Sequence, residues 1–152
     1  MKAAELCIRE VIVASRETSI VDAARLMREH HIGCLVITDD IAGHPSPVGI
    51  LTDRDIVIEV IAKDIPLNDV TVGDVMTFAL LKVSEDEELF DVAQRMRARG
   101  VRRVPVITAD TGALAGIIAM DDILSLLSQE LSLLSTLTSR EAEQEARKRP
   151  RG

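Results

Sequence analysis

Apolar and polar positions change period along this chain in a fixed succession, and the succession occurs twice. Residues 10–15 (Glu-Val-Ile-Val-Ala-Ser) are rich in β-branched side chains and predict a short buried strand. Thr18 or Ser19 offers an N-cap for a helix over 20–30, with Ile20, Ala23, Ala24 and Met27 on one face. Gly33 ends that region, residues 34–38 predict a second buried strand, and 39–47 (Asp-Asp-Ile-Ala-Gly-His-Pro-Ser-Pro) read as a turn-rich loop. A strand over 48–51 and a helix from 53 to about 63 complete a β-α-β-β-α unit. A connector over 65–74 follows, in which Thr71 caps a helical turn leading into Met76. The order then repeats, with strands at 79–83, 104–108 and 114–119, a helix at 87–99 and a turn at 109–112. Leu89, Val92, Ala93 and Met96 face inward on that helix, and a last helix begins near Asp121.

The repetition extends to residue identity. Asp22, Ala24, Met27 and Arg28 coincide with Asp91, Ala93, Met96 and Arg97 at an offset of 69 (91 − 22). Gly49, Ile50, Asp55 and Ile56 coincide with Gly116, Ile117, Asp122 and Ile123 at an offset of 67 (122 − 55), so the first copy holds two extra residues between the blocks. Two copies of one unit pack about a pseudo-two-fold axis, and the clefts between them are where a ligand belongs. The expected architecture is mixed α/β (α+β), two β-α-β-β-α repeats with small sheets packed against helices. Its segments are a first repeat over 6–64, a connector over 65–77, a second repeat over 78–128 and a helical, charged extension over 129–152. A unit of this size buries too little surface to be comfortable alone, so the halves need each other.

The last helix is longer than its counterpart. Leu124, Leu127, Leu131 and Leu134 follow a 3-4-3 spacing, and Ile123, Leu126, Leu133 and Leu137 widen the apolar surface. The excess points to a partner subunit, with packing back on the same chain as the alternative. Beyond Ser139 the chain is charged and reads as a solvated helix end that frays, or as a basic interaction tail.

Composition narrows the function classes. Hydrophobic residues make up 47% of the 152, enough for a core, and the formal charge is −7, which opposes general affinity for nucleic acid or an anionic membrane. There is no Trp or Tyr, and Phe78 and Phe90 are the aromatic residues, so stacking platforms for single strands are missing. No apolar run reaches the length of a membrane span, and no secretory leader follows Met1. Cys7 and Cys34 read as two buried thiols in a reducing cytoplasm, and Met1 with the short tail reads as a complete small protein.

The strongest chemical candidate is Gly49-Ile50-Leu51-Thr52-Asp53-Arg54-Asp55, where a strand turns into a helix. Free N–H groups at such a turn suit a phosphate, Gly49 clears the approach, and the Thr52 hydroxyl can donate to it. Asp55 can accept from the paired hydroxyls of a ribose. The competing reading is a capping box, in which Thr52 and Asp55 satisfy the helix's own N–H groups. The second copy keeps Gly116 and Asp122 but has Ala119 in place of Thr52, and so lacks the donor. Arg102 and Arg103 occur in the second copy alone, opposite Gly33 and Cys34 of the first. They suit phosphate through the planar guanidinium fork, or surface ion pairing. His30, His31 and Cys34 lack a convincing metal spacing, and no nucleophile or Walker motif is visible.

With these residues the chain resembles a tandem pair of CBS domains, or Bateman module, over residues 6 to about 128. Gly49, Thr52 and Asp55 match its Gly-hydrophobic-x-Thr-x-x-Asp element, supported by Leu-Val-Ile-Thr-Asp at 35–39 and Arg-Arg-Val-Pro-Val at 102–106. The resemblance implies a regulatory module that takes AMP, ADP, ATP or S-adenosylmethionine between the repeats. It implies ribose on Asp55, phosphate on Thr52 with Arg102 and Arg103, and a base against Val13 and Ala14 or against Leu81 and Lys82. It also implies a flat homodimer, with output to a regulated protein on another chain. Two rival readings stay open: an interaction module whose clefts are vestigial, and an enzyme, for which no activated nucleophile or base is visible.

Overall fold

The computed structural model describes residues 1–78 and 80–149 of the chain. Two three-stranded sheets carry the repeats, in the orders β1-β2-β3 and β4-β5-β6. In the first, β1 (Val13–Ala14) runs parallel to β2 (Cys34–Ile41), which pairs antiparallel with β3 (His44–Thr52). In the second, β4 (Val83–Ser84) runs parallel to β5 (Arg103–Ile107), which pairs antiparallel with β6 (Leu114–Ala119). The crossover helices α2 (Ile20–His30) and α5 (Leu89–Arg99) have the same length and end alike, on a left-handed residue, His31 in one and Gly100 in the other. Both hairpins slip register at the same place, at Ile37/Thr38 and at Val106/Ile107. The repeat seen in the sequence is thus a repeat of structure down to its irregularities.

Three expected elements differ. The turn-rich loop at 39–47 is paired strand: β2 and β3 extend to Ile41 and His44 around a two-residue turn, with Ala42 at φ 53° and Gly43 at φ 81°. Positive φ at both centres is the hairpin geometry that matches strand twist. Pro45 and Pro47 are tolerated because β3 is an edge strand. The first strand of each repeat shrinks to two residues, and Ala79, where the second was expected to begin, lies outside the described residues. The helix expected over 53–63 is one α-turn, α3 (Asp53–Ile56), continued by a π-helical turn over Val57–Ile61 and stopped by left-handed Asp64.

Each repeat is completed by a segment that precedes the other. Helix α1 (Ala3–Leu6) and Cys7 pack into the core of the second repeat, beside Leu81, Val92, Met96 and Ile118. Helix α4 (Val72–Val75), at the same offset of 69 (72 − 3), brings Val72 into the core of the first, beside Ile20, Leu35 and Leu51. The residues expected as a connector, 65–77, therefore supply Val70, Val72 and Met76 to a core. The exchange is pinned by matching backbone bonds. Ile8 and Ile117 exchange N–H···O bonds of 2.9 Å, and the Thr77 N–H donates to the Ile50 carbonyl at 2.9 Å. Burying a large aliphatic side chain is worth about 1.5–3 kcal/mol, so losing Val70, Val72 and Met76 would cost the first repeat several such increments, and losing Ala3 with the partly buried Leu6 would cost the second fewer.

The close crossing explains both matched glycines. A Cβ on Gly49 would lie 2.5 Å from Met76 Sδ and 3.0 Å from the Thr77 carbonyl. One on Gly116 would lie 2.8 Å from both Cys7 Sγ and the Ile8 carbonyl. Gly49 thus makes room for the crossing chain, which corrects its expected role of clearing a path for phosphate.

Helix α6 (Met120–Lys148) is 29 residues long, about 43 Å at 1.5 Å per residue. It stays helical through the charged stretch expected to fray, which is made of good helix formers and closes on Arg147 and Lys148 at the negative end of the dipole. The expected tail's last three residues, 150–152, lie outside the described ones. The body buries Ile123 and part of Leu126, while Leu124, Leu127, Leu131, Leu133, Leu134 and Leu137 are each more than half exposed.

Candidate functional site

Strand β3 delivers Thr52 in extended geometry, φ −108° and ψ 160°, directly into α3. The capping box is closed there. The Thr52 hydroxyl oxygen accepts from the Asp55 N–H at 3.1 Å, and the Thr52 N–H donates to Asp55 Oδ2 at 2.9 Å. The Asp53 N–H donates to the Gly33 carbonyl at 3.0 Å, and the Arg54 N–H to Asp53 Oδ1 at 2.8 Å. All four N–H groups of the turn are satisfied by the protein, so the expected backbone cradle for phosphate is absent. The Thr52 hydroxyl still has its own hydrogen to donate, and Asp55 Oδ1 accepts nothing from the cap.

Both groups face a cavity of about 670 Å³ between the repeats, a size suited to a nucleotide. Thr52, Arg54 and Asp55 line it from the first repeat; Arg102 and Arg103 line it from the second. Its apolar wall comes from Ile50, Leu80, Leu81 and Val101. Charged side chains on the lining are Arg54, Arg102 and Arg103 against Asp53 and Asp55, a balance of 3 − 2 = +1 in a protein of net −7. Arg102 also donates to Asp121 Oδ1 at 3.0 Å, an exposed pair that is weak in water and free to exchange for a ligand oxygen. Arg54 was missed in the sequence reading, although it stands inside the motif; nothing in a helical period says which side of so short a helix faces the second repeat.

The equivalent turn of the second repeat opens on a smaller cavity of about 400 Å³. The Ala119 N–H donates to Asp122 Oδ2 at 3.3 Å, and the Met120 N–H to the Arg102 carbonyl at 2.8 Å, repeating the first turn without its hydroxyl. Asp122 lines this second cleft alone, whereas Arg103 lines both clefts, as do Gly33 and Cys34. Burial pushes the Cys34 thiol up to about 11; Asp55 and Asp53 add to the rise, and the Arg103 guanidinium opposes it. Val13 and Ala14 line neither cleft: Ala14 is buried in the first core, and Val13, on the edge strand β1, is exposed outside both. Of the two base platforms expected, Leu81 is the one at the larger cleft, and Lys82 lies outside it. Among the described residues no cluster of three His, Cys, Asp or Glu is gathered for a metal, and no helix is long and apolar enough to cross a membrane.

Comparison with known proteins agrees with this geometry. The family model for the CBS domain matches residues 3–62 and again 72–129. An uncharacterised protein of Methanopyrus kandleri is 37% identical over 122 residues, which cover 80% of this chain and 60% of that protein. The chain thus spans less than two thirds of that relative. Hypoxic response protein 1 of Mycobacterium tuberculosis is 38% identical over 112 residues, 73% of each chain. Among solved structures, the CBS domain pair of protein MJ0100 in complex with 5′-methylthioadenosine and S-adenosyl-L-methionine superposes with a TM-score of 0.73 at 28% identity, covering 86% of this chain and 98% of that one. Hypoxic Response Protein I with two coordinated zinc ions gives 0.69 at 32% identity, covering 82% and 98%. Two family matches over most of the chain, two repeats in one fold and a cleft between them place this protein in the CBS-domain family, as a tandem pair.

Proposed function

We propose that this chain is a regulatory module that binds an adenine nucleotide in the larger cleft. One observation carries the reading: Thr52 and Asp55 of one repeat and Arg102 and Arg103 of the other line a single cavity. Asp55 accepts from the ribose hydroxyls, Thr52 and the arginines hold phosphate, and Leu80 and Leu81 flank the base. The complex of MJ0100 with two adenosine compounds supports an adenosine ligand. Ligand control follows from a difference in affinity between two orientations of the repeats. The module acts in the cytoplasm on a partner protein, as a homodimer. Six exposed leucines of α6 support that assembly. Ser132, Thr136, Thr138 and Ser139 donate their hydroxyls to carbonyls one turn back, at 2.6–3.1 Å, which leaves that helix surface little polarity of its own.

The closed capping box favours a second reading, in which the clefts are vestigial and the protein acts through α6 alone. Titration with AMP, ADP, ATP and S-adenosylmethionine, followed by melting, separates the two. A ligand at 100 times its Kd stabilises by about 2.7 kcal/mol, roughly 5–10 °C for a chain of this length. With no Trp or Tyr to mask it, the ultraviolet band of adenine in nucleic-acid-free protein reports a retained ligand directly. Asp55→Ala should abolish the melting shift with AMP, ADP and ATP and leave α6 assembly intact. No shift with any of the four compounds would leave the second reading.

A further inference from the structure

A third cavity, of about 440 Å³, opens beside the larger cleft, with Leu80 in the wall that the two share. Arg16 lines it from the first repeat, and Lys82 and Arg99 line it from the second. No carboxylate lines it, so its balance is +3 in a protein of net −7. Asp39 holds Arg16 through Nε alone, which donates to both carboxylate oxygens at 2.9 and 3.1 Å. That grip leaves the terminal nitrogens of the guanidinium for a guest. Lys82 and Arg99 make no ion pair among the described residues. Arg99 ends α5, where the helix dipole favours a cation, and Lys82 directly precedes β4. The rest of the wall is apolar: Pro47, Val48, Leu80 and Phe78. Phe78 is 60% exposed, and its ring centre lies 5.8 Å from the Arg16 guanidinium carbon. The duplication does not require this charge. At the offset of 69, Arg16, Lys82 and Arg99 correspond to Glu85, Val13 and His30.

We propose that this cavity binds a phosphate monoester of a small organic molecule, at a site separate from the cleft that holds Thr52 and Asp55. Three cations from three separate segments face one volume, and an anion relieves their mutual repulsion. A monoester dianion presents three terminal oxygens, one for each cation, whereas a carboxylate has two oxygens and a single charge. The guanidinium forks of Arg16 and Arg99 donate parallel pairs of hydrogen bonds, and Lys82 adds a compact point charge. The organic part lies on Phe78, Val48 and Leu80 and covers apolar surface that water now touches. Because Arg16 belongs to one repeat and Lys82 and Arg99 to the other, the bound phosphate ties their relative orientation. The site stands whether or not the larger cleft takes adenosine.

Phenyl phosphate is the probe, titrated into the full chain by calorimetry at low salt and about pH 8, where it is a dianion. The wild type should bind it saturably, and should bind benzoate at least tenfold more weakly. Lys82→Gln with Arg99→Gln alters two exposed side chains that make no ion pair, and an unchanged melting midpoint checks the fold. That double change should weaken phenyl phosphate at this site at least tenfold. Phe78→Ala should weaken phenyl phosphate about threefold and leave inorganic phosphate unchanged, which places the ring of the probe on the apolar wall. Thr52→Ala, in the larger cleft, should leave the site intact. Unchanged affinity in the double variant, equal affinity for benzoate, or no saturable binding to the wild type overturns the proposal. Because the probe carries no adenosine, those three results leave the reading of the larger cleft standing. Binding lost in Thr52→Ala and kept in the double variant also overturns it, and makes the larger cleft the phosphate site.

Discussion

The turns at Thr52 and Ala119 occupy the same place in the two repeats, and the helices they launch diverge. At Thr52 a hydroxyl completes the cap, a guanidinium follows at Arg54, and the helix closes after a single α-turn and a π-turn. At Ala119 the hydroxyl is missing, Asp121 stands where Arg54 does (54 + 67), and the helix runs on for 29 residues. The first copy places a hydroxyl and a guanidinium at its turn; the second continues into a long helix with an exposed leucine face. Duplication supplied two identical scaffolds.

The largest effect expected from breaking this contrast lies in α6. Leu131→Glu with Leu134→Glu places two charges on the exposed leucine face, and a dimer formed there should become a monomer in sedimentation, its dissociation constant raised at least 100-fold. The same double change leaves adenine-nucleotide binding untouched. A dimer that survives it places the interface elsewhere.

Next are the turns themselves. If Thr52 holds phosphate as proposed, Thr52→Ala removes a donor to a charged oxygen, worth about 1.5–3 kcal/mol, and nucleotide affinity should drop roughly 10- to 100-fold. It also removes the acceptor for the Asp55 N–H, costing about 1 kcal/mol of stability. Ala119→Thr is the mirror experiment and should stabilise the fold by about 1 kcal/mol, because it supplies the cap that the second turn lacks. Chemical denaturation of the two variants reads both signs. Equal melting of the three proteins would show that the turns are not energetically distinct.

A last test, which changes no residue, is at Cys34, in the wall between the clefts. Its thiol is raised from 9.0 to about 11, so its contribution to stability is whole below pH 9 and is lost as pH rises through 11. At pH 8 the thiolate fraction should be about 100-fold below that of an unperturbed thiol, with alkylation slowed to match. A nucleotide in the larger cleft should slow it again by covering the sulfur. Rapid alkylation, unaffected by ligand, would contradict the half-buried placement of Cys34 in the cleft wall.

Much of this was legible in the chain. The identities shared by residues 22–28 and 91–97, and by 49–56 and 116–123, announced a duplicated unit and its element order. Thr52, Asp55, Arg102 and Arg103 were visible because few residue types suit phosphate and ribose, and the structure brings all four to one cavity. The hairpin at 39–47 was not legible. Its Asp, Gly and Pro residues are turn formers, and only pairing with the neighbouring strand holds them extended. The role of Gly49 was misread for a related reason: what a glycine makes room for is decided by a segment 27 residues away (76 − 49), whose approach no local pattern encodes.

The sequence by itself determined two copies of a β-α-β-β-α unit, an excess of leucine on the last helix, and the unequal division of hydroxyl and guanidinium between the copies. Local periodicity and residue chemistry are sufficient for those. Tertiary structure alone decided that each repeat is completed by the segment preceding the other, that the turn's N–H groups are already satisfied, and that Arg103 serves two clefts at once. Those facts depend on which distant surfaces meet, and that is set by packing across the pseudo-two-fold axis, where neighbours in space are far apart in the chain.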